Sequence, residues 1–229
     1  MENKMFAIIL KKEAMKPKYW ILLLIFTFTT YVSIKNAAHF IKTYNNLGNQ
    51  GIAESTFLRS DSENKILKKL GKKAKAFAIE NNYNNSYCFL VNMQLHSGKK
   101  RFFIYDLAHD RIVDSGMVSH GSCNNVFLSE VRFSNENGCG CTSEGRYLVG
   151  HKYKGRFGNA YKLKGLDATN NNAFRRFVVL HSYTCVPDTE TYPLPICNSL
   201  GCTMVSNNFL QKLSTIIDQS TKPILLFVF

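Results

Sequence analysis

FVVLHSYTCVPDTETYPLPICNSLGC, residues 177–202, joins an apolar β-branched run to a loop of small residues. The run Phe177–His181 has the composition of a buried strand and delivers His181 at its end, with Ser182 next. Cys202 follows 21 residues after that histidine, behind Ser199-Leu200-Gly201. Gly201 allows a tight turn, so the amides around the sulfur can converge on a substrate oxygen. A thiol nucleophile needs such donors and a base held on a separate element, and this stretch offers both. The helix expected after Ser206 adds positive potential that would favour the thiolate.

Outward from this stretch, the chain keeps to short aromatic and β-branched runs from Tyr87 onward. Strands are expected near Tyr87–Leu95, Arg101–Leu107, Arg111–Val118, Gly145–His151, Ala160–Gly165, Phe177–His181 and Ile224–Phe229, the first two forming a hairpin. One helix interrupts them, Asn207–Asp218, with Ser206 as N-cap and Phe209, Leu210, Leu213, Ile216 and Ile217 facing inward. The expected class is mainly β: an antiparallel sheet or sandwich with a late α-helix, closed by a C-terminal strand.

Towards the N-terminus the pattern differs. Tyr19–Ile34 is uncharged, with Lys4, Lys11, Lys12, Lys16 and Lys18 before it and Lys35 after it. Such a segment reads as an export element: an uncleaved membrane helix, since no A-x-A cleavage pattern follows. The polar stretch Asn45–Asp61 then reads as a linker. Ile66, Leu67, Leu70, Ala74, Phe77 and Ala78 recur at helical spacing, with lysines between them, which makes an amphipathic helix. The organisation expected is a signal or anchor segment over 1–40, a linker and amphipathic helix over 41–85, and a catalytic domain over 86–229.

The chain has 229 residues, 45% of them hydrophobic, and a net charge of +13, which excludes a disordered chain and disfavours a two-domain enzyme. The charge suits an anionic wall polymer or a membrane surface, and export disfavours nucleic acid as a partner. Seven cysteines leave at least one unpaired within a single chain. A second histidine–cysteine pair, His120 and Cys123 in Ser119-His120-Gly121-Ser122-Cys123, competes with His181 and Cys202 but lacks a base on a separate element. His181, Cys185, Cys197 and Cys202 also have zinc-ligand spacing. A disulfide between Cys185 and Cys197, across the lid of the site, is the more natural outcome outside the cytoplasm, so no metal is expected.

These residues, in this order, resemble the murein L,D-transpeptidase (YkuD-like) catalytic domain. Cys141-Thr142-Ser143-Glu144-Gly145-Arg146-Tyr147 is similar to that family's T-P-x-G-x-[FY] strand entry, His181-Ser182 to its histidine, and Ser199-Leu200-Gly201-Cys202 to its S-x-G-C loop. The resemblance spans roughly Tyr87 to Phe229, and HSGKKRFFIYDL, GLDATNNNAF and VVLHS place it in a divergent, cysteine-richer branch. It departs from the commoner pattern in three places: Ser143 stands for proline, Leu200 for histidine, and Thr203-Met204 where arginine is usual. The resemblance implies that Cys202 attacks the stem-peptide carbonyl joining meso-diaminopimelate to D-alanine. His181 is then the base and afterwards the acid, Ser182 orients it, and the Gly201 and Cys202 amides hold the oxyanion. Ser199, Thr203 and Tyr147 are the expected substrate contacts. No cofactor is implied, and the expected protein is a periplasmic monomer tethered to the inner membrane and acting on peptidoglycan stem peptides. The same site with water as acceptor would be an L,D-carboxypeptidase, and a wall-binding module without activity is the rival that would not need His181 and Cys202.

Overall fold

Alternation along β1 (Tyr87–Val91) sets the architecture: Phe89 and Val91 enter one apolar cluster, Cys88 and Leu90 another. A strand sends successive side chains to opposite faces, so this strand is covered on both. The computed structural model describes residues 62–229. In chain order the further strands are β2 (Phe102–Asp106), β3 (Arg111–Gly116), β4 (Val118–Ser119), β5 (Gly145–Gly155), β6 (Gly158–Gly165), β7 (Val179–Ser182), β8 (Thr203–Val205) and β9 (Ile224–Val228). Helix α1 covers residues 62–80, and α2 is Asn207–Gln219. Leu67, Ala74 and Ala78 of α1 pack with Cys88, Leu90, Phe103, Tyr105 and Leu225. Phe209, Leu210 and Leu213 of α2 pack with Phe89, Val91, Tyr161, Leu180 and Leu226 on the other face.

The nine strands form one sheet in the order β3-β2-β1-β9-β5-β6-β7-β8-β4. Its two edge strands, β3 and β4, are separated in the chain by Met117 alone. A single residue cannot bridge a flat nine-stranded sheet, so the sheet curls until its edges approach each other, with α2 inside the curl. Gly116 sits at this joint, where an added Cβ would fall 2.6 Å from a Phe209 ring carbon.

The expectation of a mainly β domain with a late helix holds, and the arrangement differs in two respects. The sheet is a single curled layer rather than a sandwich. It is also mixed, because β1 pairs with β9 and β7 with β8 in parallel. Parallel neighbours need a long return connection, here the chain from 92 to 223 between β1 and β9 and the 183–202 segment between β7 and β8. The β1–β2 hairpin forms in register from Tyr87↔Asp106 to Val91↔Phe102.

The run expected to begin a strand at Phe177 straightens only at Val179. Residues 172–178 are tied into turns by Arg176 N–H to the Asn172 carbonyl and Val178 N–H to the Ala173 carbonyl, with Phe177 at φ 56°. In α2, Ser206 caps as expected, its hydroxyl accepting from the Phe209 N–H. Ile66 of α1, expected on the inner stripe, is exposed. The uncharged Tyr19–Ile34 segment and its linker lie outside the described residues, among which no helix is long and apolar enough to cross a membrane.

Candidate functional site

Strands β7 and β8 lie side by side in parallel, with Leu180 opposite Thr203, His181 opposite Met204 and Ser182 opposite Val205. Leu180 and Val205 enter the core beneath α2. His181 and Met204 therefore face the other way, and Cys202, two residues before Met204, falls on that same face. The register sets Cys202 opposite Val179, two residues from His181 along β7. In this structure the Cys202 thiol donates to the Phe177 carbonyl at 3.8 Å.

The His181 ring is held at one nitrogen. His181 Nδ1 lies 3.0 Å from the Ser182 carbonyl oxygen. A carbonyl only accepts, so Nδ1 carries the proton and Nε2 keeps its lone pair. His181 is 5% exposed, and burial holds its pKa below the ordinary 6.5, against a smaller upward pull from Ser182. The imidazole is neutral at physiological pH and able to accept a proton. Burial also pushes the Cys202 thiol above its ordinary range. A hydrogen bond with the Val179 backbone and the charge of Arg176 pull it down without overcoming burial. The resting pair is thus thiol and neutral imidazole, and the start of α2 does not produce the standing thiolate that its position suggested.

The loop before Cys202 is held on both sides. Ser199 donates its N–H to the His120 carbonyl (2.8 Å) and accepts from the Ser122 N–H (2.8 Å). Its hydroxyl donates to the Cys202 carbonyl (2.8 Å) and accepts from the Gly201 N–H (3.2 Å). Gly201 has φ 103°, and a Cβ there would lie 2.6 Å from the Cys141 carbonyl oxygen. Only glycine fits this position. Arg176 fastens the neighbouring entry loop: its guanidinium donates to the Ser134 carbonyl (2.9 Å), the Ser143 hydroxyl (2.5 Å), the Cys139 sulfur (3.3 Å) and the Cys141 carbonyl (2.5 Å).

The competing pair at His120 is closed to chemistry. Cys123 is disulfide-bonded to Cys141. His120 is fully buried, with Nδ1 2.8 Å from the Arg101 guanidinium and Nε2 3.1 Å from the Leu128 carbonyl. Burial and the Arg101 cation lower its pKa to about 4. Cys185 and Cys197 form the second disulfide, which uses two of the four donors that a zinc site would need. Cys88, Cys139 and Cys202 are free.

A family model described as the L,D-transpeptidase catalytic domain matches residues 59–229. The chain belongs to that family. The matched stretch takes in α1 as well as the sheet, so the L,D-transpeptidase domain of this chain carries a helix on each face. Among solved structures it is similar to the helical cell shape determining protein Pgp2 from Campylobacter jejuni, at 16% identity and a TM-score of 0.39 over 62% of this chain and 47% of that one. It is also similar to an L,D-transpeptidase from Xylanimonas cellulosilytica, at 13% identity and a TM-score of 0.34 over 67% and 68% of the two chains. A third is an L,D-transpeptidase from Mycobacterium smegmatis, at 11% identity and a TM-score of 0.37 over 63% and 58%. The chain spans about half the length of the Pgp2 chain it matches. No curated protein matches it.

Within this L,D-transpeptidase domain, Cys202, His181, Ser182, Gly201 and Ser199 come together around one loop and one strand end. The two other expected substrate contacts do not reach it. Tyr147 is 2% exposed, packs in the core and donates its hydroxyl to the Ser143 carbonyl (2.6 Å). Thr203, opposite Leu180, is buried on the core side. The structure adds three residues that sequence reasoning passed over: Arg176, Phe157 and Tyr183. The Phe157 ring stacks on the His181 ring (5.3 Å, 20°) and meets Tyr183 edge-on (5.3 Å). A Gly-Arg-Phe-Gly turn signal over 155–158 was available for Phe157, but nothing in the sequence ties that turn to His181.

Proposed function

We propose that this chain is a cysteine-dependent acyltransferase acting on peptidoglycan stem peptides outside the cytoplasm. The observation that carries this reading is a neutral His181 whose Nδ1 is held by the Ser182 carbonyl, leaving the Nε2 lone pair, on the same sheet face as the free Cys202 thiol. Rotation of the Cys202 side chain away from the Phe177 carbonyl brings the thiol towards Nε2. Nε2 takes the thiol proton as sulfur bonds to the meso-diaminopimelate carbonyl carbon. The amides of Gly201 and Cys202 receive the oxyanion, the Gly201 N–H leaving the Ser199 hydroxyl for it. The carbon–nitrogen bond to D-alanine then breaks, the leaving amine takes the proton from His181, and a thioester remains. An acceptor amine attacks the thioester, gives a proton to His181, and displaces the Cys202 thiolate, which the imidazolium reprotonates. Water as acceptor gives the carboxypeptidase outcome at the same site.

Two disulfides in the described residues and the uncharged, lysine-flanked Tyr19–Ile34 segment support placement in an oxidising compartment, with a periplasmic domain tethered to the inner membrane. The test is incubation of purified protein with muropeptide tetrapeptides, followed by mass spectrometry. Release of D-alanine with a 3–3 dimer supports transpeptidation, and release with tripeptide alone assigns hydrolysis. Either product persisting in Cys202→Ala overturns the nucleophile. Binding of peptidoglycan without turnover would make the chain a wall-binding module.

A further inference from the structure

We propose that Phe157, at the tip of the β5–β6 hairpin, is a positioning residue for His181: its ring packs on the imidazole and, together with the Ser182 carbonyl at Nδ1, fixes the orientation in which Nε2 is presented as the base. This rests on the assignment of His181 as base. Beyond a register shift between Val149 and Lys152, the hairpin pairs from Lys152↔Tyr161 to Gly155↔Gly158, so its two-residue turn is Arg156-Phe157. Further along β6, Ala160 pairs with His181 of β7. The turn therefore overhangs the strand end that carries the base. Phe157 is 50% exposed, with one ring face covered by the imidazole. Its plane lies within 20° of the imidazole, centroids 5.3 Å apart, and Tyr183 buttresses it from the side.

The arrangement completes what the Ser182 carbonyl begins. The hydrogen bond at Nδ1 limits rotation about the Cβ–Cγ bond from one ring atom, and the stacked aromatic limits it further from one ring face. It also takes solvent from one face of the imidazole, which disfavours the imidazolium. Charged or titratable groups on the elements packed against this strand end are Cys202 before β8, Arg156 beside Phe157 (guanidinium 5.6 Å from the Phe157 centroid), Tyr153 on β5, Lys162 on β6, Arg176 before β7 and Tyr183 after it. None is a carboxylate that would hold the imidazolium.

The test titrates the His181 ring by NMR in the full chain, with the signal assigned by its loss in His181→Gln, and pairs it with the pH dependence of Cys202 alkylation by iodoacetamide. In Phe157→Ala the His181 midpoint is expected to rise by about half a pH unit or more, and alkylation at neutral pH to slow about tenfold. Phe157→Trp, which keeps a stacking face, is expected to restore both. An unchanged midpoint and rate in Phe157→Ala overturns the proposal, as does a slowing without movement of the midpoint, which is the mark of loosened structure alone. Neither readout uses a stem peptide. A wild-type chain that fails to release D-alanine would overturn the acyl-transfer reading and leave the Phe157 result standing.

Discussion

The two histidine–cysteine pairs that the sequence singles out, His120 with Cys123 and His181 with Cys202, differ in what the fold leaves unoccupied. At His120 both ring nitrogens are occupied, one by Arg101 and one by the Leu128 carbonyl, and the nearby Cys123 sulfur is locked to Cys141. At His181 one nitrogen is held, the other keeps its lone pair, and the sulfur is free. The first arrangement spends its polar groups on holding the buried end of β4. The second leaves one acceptor and one thiol unspent at a strand end. What separates the two histidines is how much of their hydrogen-bonding capacity the fold has used.

Substitutions at the two places test this contrast. Cys202→Ala is expected to reduce turnover by on the order of 10³-fold or more, read by D-alanine release. Cys123→Ala is expected to leave turnover within a few fold and to lower unfolding stability by about 3 kcal/mol, the value for a loop of this length; comparable losses of turnover in the two variants would break the contrast. His181→Gln is expected to cost about 10²- to 10⁴-fold in kcat with an unchanged urea midpoint, whereas His120→Gln moves the midpoint and spares kcat.

The pH response should separate them further. His120 has a folded pKa of about 4 against 6.5 unfolded, so its contribution to stability is full above 6.5 and is lost as pH falls from there through about 4. Urea midpoints measured between pH 7 and 4 are expected to fall in the wild type and to fall less in His120→Gln. Turnover should persist below pH 6.5, because His181 stays neutral there, and fail only when that lowered pKa is passed. The smallest effect is expected at Ser199, which touches both regions: Ser199→Ala removes two loop hydrogen bonds and should cost about 0.5–1.5 kcal/mol with a severalfold loss of kcat, read by urea titration and product release.

Much of the domain was legible in advance because its signals are local. The aromatic and aliphatic runs Tyr87–Val91 and Ile224–Val228, the Ser206 cap and the Ser199-Leu200-Gly201 turn before Cys202 act within a few residues of themselves. The three-residue β8 escaped because Thr203-Met204-Val205 is too short to carry a pattern, and it becomes a strand only between β7 and β4. Tyr147 was misplaced for a related reason. An aromatic residue at a strand entry reads the same whether it faces a substrate or the core, and here the core takes it.

The sequence by itself determined that the chain is mainly β, that α2 begins at its serine cap, and that His181 and Cys202 are the pair to examine, since spacing, propensity and side-chain chemistry are written residue by residue. Only the tertiary structure decided which histidine keeps a free nitrogen, which cysteines pair, and that Arg176 and Phe157 attend the site. Those are outcomes of competition among groups distant in the chain. Arg101 claims His120, Cys141 claims Cys123, and the β5–β6 turn reaches His181 only after the strands between them have paired.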